Sequence, residues 1–425
     1  MERKESLLTL LNFPGCNGRV FHYNGSIKLQ EEAYEERALC LLIALTLLLS
    51  ACAMFPGETL PTETLPTEAA TEPPTLPKFD ITGEELMQEM KIGWNLGNTF
   101  DAPDGETTWG NPLTTPELLQ SVKALGFNTI RIPISWGKHV SPAPEYTIEE
   151  NFLKRVTMVV DQALDAGLYV IINSHHDNHI YSPTPDNAEA GMAYLSAIWT
   201  QIAGNFEDRD HHLIFQTMNE PRVQGSAYEW WVDTKNEDCM AAVEVVNQLN
   251  QAALDAIRAT GGNNADRFVI VSPYAANHMA ASISRFKLPT DSAEGRLIVS
   301  VHAYTPYDLC LNTDPTKNTF DMNGLSEIRS FMGGLKAKYV SKGIPVILDE
   351  MGCVYKDNDE VRYQWAKNYI ALAKEHGMVC CWWDNGSLAV GSEGFGLINR
   401  YKCTVYEKSQ LVYNGLMEGL IAGAE

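Results

Sequence analysis

The sequence is short of the residues that several common protein classes require. Its 425 residues include nine scattered cysteines with no Cys-x-x-Cys pair, which supports neither a disulfide scaffold nor a structural zinc site. No Gly-x-Ser-x-Gly motif is present, so the usual signature of a serine hydrolase is missing. Basic residues number 32 against 54 acidic ones, and the formal charge of −22 argues against nucleic acid as a partner.

The N-terminal region also lacks a hydrophobic run long enough for a comfortable membrane span. The apolar run from Ala38 to Leu49 has the length of a signal-peptide core. The residues Leu49-Ser50-Ala51-Cys52 resemble a bacterial lipobox, which predicts a lipid on Cys52 and an extracellular, cell-surface lipoprotein. An ordinary cleaved signal and a helical anchor are the alternatives. The acidic stretch 31–36 predicts that translation starts downstream of Met1.

Composition divides the chain into three segments. Residues 1–52 form the N-terminal extension with the signal-like run and the lipobox. Residues 53–78 are rich in proline and threonine and repeat the pentapeptide TLPTE, which predicts an extended linker. Residues 79–425 are predicted to form one catalytic domain, and an apolar content of 45% is ample for its core.

Strand and helix patterns alternate along residues 79–425. Apolar, β-capable runs predict eight strands at Ile92–Leu96, Thr129–Ile134, Tyr169–Asn173, Leu213–Met218, Phe268–Ser272, Leu297–His302, Pro345–Asp349 and Val379–Trp383. Helical patterns begin at Thr115-Pro116-Glu117 and continue at Phe152–Ala166, Glu237–Thr260, Leu325–Lys342, Glu360–Glu375 and Leu411–Ile421. This order predicts an α/β fold, a (β/α)8 TIM barrel. A doubly wound open sheet ranks second, because no Gly-rich turn follows the first strand.

Polar and aromatic residues stand at the C-terminal ends of the predicted strands, where a TIM barrel carries its chemistry. Two of these strands end in carboxylates, Glu220 before Pro221 and Glu350 before Met351. Paired carboxylates at one end of a barrel are what a retaining glycosidase needs. The sequence therefore predicts that Glu220 and Glu350 act as a pair.

The strand-end motifs resemble glycoside hydrolase family 5, closest to its bacterial endoglucanase branch. The resemblance covers the whole domain in family order. It is carried by Gly93 to Asp101 (GWNLGNTFD), Arg131-Ile132-Pro133, His175-His176-Asp177, Met218-Asn219-Glu220-Pro221, His302-Ala303-Tyr304-Thr305-Pro306, Glu350-Met351-Gly352 and Trp382-Trp383-Asp384-Asn385-Gly386. It implies a retaining endo-β-1,4-glucanase that hydrolyses cellulose and related β-glucans.

The resemblance implies a nucleophile at Glu350 and a general acid at Glu220. Arg131 would favour the ionised form of Glu350, and Tyr304 would donate a hydrogen bond to it. The charge of Glu350 is expected to raise the pKa of Glu220 so that it holds a proton. Asn219 matches an amide that binds the sugar 2-hydroxyl.

The remaining substrate-binding residues implied by the resemblance surround this pair. They are Asn95, His175, His176, His302, Trp383 and, beside it, Trp382. Trp109, Trp136 and Trp230 either widen the glycan surface or pack in the core. No cofactor or metal is expected, because carboxylic acids carry both halves of the reaction, and the protein is expected to be a monomer.

Two departures and three alternatives accompany this interpretation. Asp349 stands where the family usually has glycine, and Met351 replaces an aromatic; alternation along the strand predicts that Asp349 points away from Glu350. His175, His176, Asp177 and His179 could instead bind zinc. The polymer could be xyloglucan, mixed-linkage glucan, xylan or mannan. From another class, the domain could bind glycans at a cell surface without cleaving them.

Overall fold

Eight parallel strands close into a barrel in the order of the sequence, β1 to β8. The computed structural model describes residues 79–421, so the predictions for residues 1–52 and 53–78, including the lipid on Cys52, lie outside the described residues. The strands are β1 Ile92–Asn95, β2 Thr129–Ile132, β3 Tyr169–Asn173, β4 Leu213–Gln216, β5 Val269–Val271, β6 Leu297–His302, β7 Val346–Met351 and β8 Val379–Trp382. The (β/α)8 prediction is confirmed.

Helices cover the outside of the barrel and connect its strands. Thr115 caps the helix Pro116–Ala124 by accepting from the backbone N–H of Leu118, as its sequence predicts. The longer helices that follow are Glu150–Asp165, Ala188–Asn205, Glu237–Ala259, Met322–Lys338, Asp359–Glu375 and Gln410–Gly419. Within residues 79–421, none of the helices combines the length and apolarity needed to cross a bilayer.

The helix Ala188–Asn205 is absent from the predicted set. Small and apolar residues are spread around this helix, so the polar face that marks an amphipathic helix is weak. Short helices were also not predicted: Gly83–Met90, Ala280–Arg285 and Tyr307–Cys310. The sequence analysis therefore missed helices only where the hydrophobic periodicity was weak or the helix was short.

The lower half of the barrel interior is apolar. Side chains from six strands meet there and pack on the helix Gly83–Met90, which closes the N-terminal end through Leu86, Met87 and Met90. The strand residues in this cluster include Ile171, Ile214, Ile270, Ile298, Ile347 and Cys381. This layer covers the inward faces of the strands, which the outer helices do not reach.

The upper half of the barrel interior is polar, because residues two positions further along a strand share its face. Asn173, Gln216, Ser272, Ser300 and Asp349 each follow an isoleucine of the lower layer by two positions, and all five are fully buried. The amide of Gln216 lies at their centre, 2.7 Å from Asp349 Oδ2 and 3.2 Å from Asn173 Nδ2 and Ser300 Oγ. This polar layer forms the floor of the cleft.

Strand β7 contains one more residue than the segments of β6 and β8 that pair with it. Its pairing shifts by one position between Ser300 and His302 of β6 and between Leu348 and Met351 on the β8 side. Such a bulge breaks the alternation of side chains. The prediction that Asp349 points away from Glu350 is therefore wrong: both carboxylates face Arg131, at 3.6 Å from Nε and 2.8 Å from Nη1.

Candidate active site

Glu220 and Glu350 lie together at the C-terminal end of the barrel. Glu220 follows β4, and Glu350 is the next-to-last residue of β7. One carboxylate oxygen of each, with a ring nitrogen of His302, falls in a group whose atoms all lie within 4.8 Å of one another. Retaining glycosidases separate their carboxyl groups by about 5 to 5.5 Å and inverting enzymes by about 6.5 to 9.5 Å. The geometry matches the retaining class.

Glu350 is held in place from two sides. Arg131 Nη1 donates to its Oε1 at 2.8 Å, and the Tyr304 hydroxyl donates to its Oε2 at 3.0 Å. Burial raises the pKa of Glu350, while the charges of His302 and Arg131 oppose the rise. Together these contacts, one to each oxygen, fix the orientation of the Glu350 carboxylate, as attack on a sugar carbon requires.

Glu220 is bonded to a histidine and faces an arginine. His302 Nδ1 lies 2.8 Å from Glu220 Oε1, and Arg222 Nη1 lies 3.4 Å from Oε2. Burial would raise the pKa of Glu220, but the hydrogen bond and charge of His302 outweigh it and the pKa is lowered. The expected rise in the pKa of Glu220 is therefore wrong for the free protein, because its contact with a cationic histidine from another strand is not visible in the sequence.

His302 carries the proton of this group. Burial would lower its pKa, but the charges of Glu350 and Asp349 and the hydrogen bond to Glu220 raise it to about 10. The imidazole is therefore protonated at neutral pH, and its Nδ1–H donates to Glu220. His302 and Glu220 share one proton across a 2.8 Å hydrogen bond.

Arg131 and Asn95 do not reach the cleft, which corrects their prediction as substrate-binding residues, whereas the predicted contact of Arg131 with Glu350 is present at 2.8 Å. Both are fully buried. Arg131 donates to Gln216 Oε1 at 2.8 Å, to Asn95 Oδ1 at 2.9 Å and to Asn219 Oδ1 at 2.6 Å. The Asn95 amide donates to the backbone oxygen of Asp349 at 2.9 Å. These side chains position other groups.

Asn219 and His175 form a polar wall next to Glu220. The Asn219 amide nitrogen lies 3.4 Å from His175 Nε2, and Asn173 Nδ2 lies 3.2 Å from His175 Nδ1. Burial, with the nearby charges of His176 and Arg131, holds the pKa of His175 well below its usual value. His175 is therefore neutral and can accept from only one of these two amides, so Asn219 keeps at least one amide proton for a ligand.

The two tryptophans of β8 have opposite roles. Trp383 lies parallel to the His175 ring at 5.8 Å between centroids and keeps 9% of its surface exposed. Trp382 is fully buried, packs on Trp365 and donates through Nε1 to the Phe395 oxygen at 2.9 Å. Alternation along the strand turns Trp382 outward to the helices, so its prediction as a sugar-binding residue is wrong.

Two other tryptophans lie around the cleft, and a third does not. Trp109 tilts against His176 with 5.7 Å between ring centroids and is 46% exposed. Trp230 is 45% exposed and lies under the Arg222 guanidinium at 3.9 Å. Trp136 is buried and donates to the Asn173 oxygen, so it is a core residue.

Arg222 is a site residue that the sequence analysis missed. It contacts Glu220 through Nη1, and its Nε lies 3.2 Å from Glu229 Oε1. Its position directly after Asn219-Glu220-Pro221 could have suggested it, because the chain leaving a barrel strand stays at the rim.

The predicted zinc ligands do not come together, because Asp177 and His179 do not join His175 and His176 in one group. The Asp177 carboxylate accepts from the backbone N–H groups of Trp136 and Gly137 and from Ser174 Oγ, and His179 is exposed. Asp101 is the carboxylate that lies near His175 and His176, and the backbone N–H groups of Asn98 and Thr99 bond to it. The carboxylates here are committed to the loop backbone.

The family comparison matches most of the described domain. Residues 94–388 match the family described as Cellulase (glycosyl hydrolase family 5). Endoglucanase A of Ruminococcus albus is 43% identical over 334 residues, which cover 76% of this chain and 90% of that protein.

Solved structures give the same result. A broad-specificity endoglucanase of subfamily GH5-4 from Ruminococcus champanellensis, with bound cellotriose, has a TM-score of 0.76 and 39% identity, covering 81% of this chain and 99% of that one. A GH5 lichenase mutant from Caldicellulosiruptor sp. F32, in complex with cellotetraose, has a TM-score of 0.76 and 38% identity, covering 87% of this chain and 100% of that one.

Proposed function

Because the chain belongs to glycosyl hydrolase family 5, we propose that it is a retaining endo-β-1,4-glucanase that hydrolyses cellulose and related β-glucans. The observation that carries this proposal is the Glu220–His302–Glu350 group, whose polar atoms all lie within 4.8 Å of one another. That separation suits a double displacement, whereas inverting enzymes keep their carboxyl groups about 6.5 to 9.5 Å apart.

In the first step Glu350 is the nucleophile. Its carboxylate oxygen bonds to the anomeric carbon while the bond from that carbon to the leaving oxygen breaks. Arg131 and Tyr304, each hydrogen-bonded to Glu350, hold the attacking oxygen in line. Glu220 gives its proton to the leaving sugar, and that proton reaches Glu220 from His302 Nδ1 across their 2.8 Å hydrogen bond.

In the second step Glu220 is the base. It takes a proton from water, the water oxygen bonds to the anomeric carbon, and the ester to Glu350 breaks. The negative charge of Glu350 is absent while the ester exists. Asn219 binds the 2-hydroxyl through its free amide proton, and Trp383 presents a flat apolar face to a sugar ring.

The similar structures contain bound cellotriose and cellotetraose, and one of them is a lichenase, which favours glucans over xylan and mannan. Mixed-linkage glucan is the second candidate substrate. We also propose that the protein acts outside a bacterial cell, held by a lipid on Cys52, on the basis of its signal-like run and lipobox alone. That it is a monomer stays a prediction.

The nucleophile is tested with Glu350→Ala in the full-length protein. This variant should lose at least about 10⁴-fold in turnover, and azide should restore cleavage of an aryl cellobioside to give an inverted, α-configured glycosyl azide. Glu229→Ala, a rim carboxylate that contacts Arg222, is the matched control. Full turnover by Glu350→Ala would remove Glu350 from the mechanism.

The substrate is tested with a polymer panel. Reducing-sugar release should be greatest on carboxymethylcellulose or mixed-linkage glucan and lower on xylan and mannan. Tight binding to these polymers without any release would favour the non-catalytic alternative.

A further inference from the structure

The mechanism leaves one buried carboxylate of the polar layer without a role. Asp349 is fully buried beneath the two glutamates, next to Glu350 in the sequence. An unpaired buried charge is costly, so its partners indicate what the charge is for.

Asp349 is surrounded by donors that favour its ionised form. Gln216 Nε2 donates to Oδ2 and Ser300 Oγ donates to Oδ1, each at 2.7 Å, and Arg131 Nε lies 3.6 Å from Oδ2. Burial would raise the pKa of Asp349, but His302 and Arg131 more than compensate and the pKa is lowered. Asp349 is therefore a fixed negative charge.

The Nε2 edge of the His302 ring faces the Asp349 carboxylate. His302 Nε2 lies 3.6 Å from Asp349 Oδ1, an ion-pair distance that is too long for a hydrogen bond. Within the described part of the chain, this buried nitrogen has no hydrogen-bond partner. The opposite edge of the ring donates to Glu220.

We propose that Asp349 is a positioning residue that makes His302 a cation in the free enzyme, with its Nδ1–H directed at Glu220, and that returns His302 to this charged form once Glu220 has taken a proton from water in the second step. The proposal rests on the roles assigned above to Glu220 and Glu350. Asp349 acts through His302 and touches no sugar.

The other charged groups around His302 cannot take this role throughout the cycle. Glu350 Oε2 lies 3.5 Å from Nδ1, but its charge is absent in the glycosyl-enzyme. Arg131 is a cation, and its repulsion would favour neutral His302. Among the other titratable groups close by, His175 is neutral and burial raises the pKa of the Cys381 thiol, so neither supplies a negative charge.

Asp349→Asn removes the charge and keeps the shape. The basic limb of the kcat/KM profile on cellotetraose should move to lower pH by about one unit or more, because an opposite charge this close shifts a pKa by about 1 to 3 units. At pH values above both limbs, turnover should fall about tenfold for each unit of this shift, whereas the first step on dinitrophenyl cellobioside, which needs no acid, should change little.

Asp384→Asn is the matched control. Asp384 is equally buried at the end of β8 but accepts from Trp94 Nε1 at 2.8 Å and from the Leu397 backbone at 2.9 Å. This variant should lose stability and leave the basic limb in place. A basic limb in Asp349→Asn that coincides with wild type, or equal losses on both substrates, would overturn the proposal.

A second measurement avoids any folding defect of the variant. In ¹⁵N NMR of the wild-type protein, the ring signals that disappear in His302→Gln should show an imidazolium at pH 8. A neutral ring at that pH would overturn the proposal. If Glu350→Ala were fully active, the assigned mechanism would fail; if it were inactive and the Asp349→Asn profile unshifted, only the role of Asp349 would fail.

Discussion

The two layers inside the barrel differ completely in chemistry although the same strands form them. Ile171, Ile214 and Ile347 belong to the apolar layer, and the residues two positions later, Asn173, Gln216 and Asp349, belong to the polar layer. One repeat of strand alternation, about 7 Å, separates a core from a reaction site. The apolar layer can therefore be changed without altering the chemistry of the polar layer.

The two layers also differ in how they tolerate change. The apolar layer depends on packed volume, so losing a side chain leaves a cavity. The polar layer and the catalytic residues above it depend on balanced charges. The cations Arg131 and His302 face the carboxylates of Glu220, Glu350 and Asp349. Removing one member leaves its partners buried and unpaired.

A large effect on hydrolysis is expected at the polar end from Glu220→Ala. Hydrolysis of cellotetraose should fall by about 10² to 10⁴-fold, because proton transfer to a poor leaving group is lost. The first turnover of dinitrophenyl cellobioside should persist as a burst of dinitrophenolate in stopped-flow measurements. Equal losses on the two substrates would contradict the role of Glu220 as the acid.

Arg131→Met tests whether the polar layer depends on balanced charge. The variant should lose about 3 to 5 kcal/mol of unfolding free energy, because two buried carboxylates lose their shared cation, and its activity should be abolished. Urea denaturation measures the first effect. Wild-type stability would show that Asp349 and Glu350 do not depend on Arg131.

Leu86→Ala tests the apolar end. Leu86 is fully buried in the lower layer, so the variant should lose about 2 to 5 kcal/mol of stability through the cavity it leaves. Its kcat at 25 °C should remain that of wild type. A large fall in kcat in the folded variant would mean that the two layers are not separable.

The smallest effect is expected from Tyr304→Phe. Losing a hydrogen bond to ionised Glu350 should lower kcat by about tenfold, since such bonds contribute about 1.5 to 3 kcal/mol. The pKa of Glu350 is already raised by burial, and loss of this donor should raise it further. The acid limb of the pH profile should therefore move to higher pH. A limb that moves to lower pH would contradict this assignment.

The sequence predicted the barrel because short apolar strand patterns alternate with helical patterns along the domain. The ends of β3 and β6 agree with the structure to the residue, at Asn173 and His302. In the site, strand ends placed Glu220, Glu350 and Tyr304 correctly because position in a TIM barrel fixes which end faces the cleft.

What the sequence could not predict depends on contacts between distant strands. Asn95 and Arg131 lie near strand ends, as substrate-binding residues do. Only their burial and hydrogen bonds show that they position other side chains instead. The bulge that turns Asp349 inward arises from pairing with β6 and β8, which no local pattern encodes. The pKa of Glu220 likewise depends on His302, 82 positions away in the sequence.

The stereochemistry of hydrolysis tests the central claim most directly. Proton NMR during the first minutes of cellotetraose cleavage reports the anomer released before mutarotation. Two carboxylates this close predict that the β-anomer appears first, with the α-anomer growing in later. Initial release of the α-anomer would mean that water attacks directly, and Glu350 could not be the nucleophile.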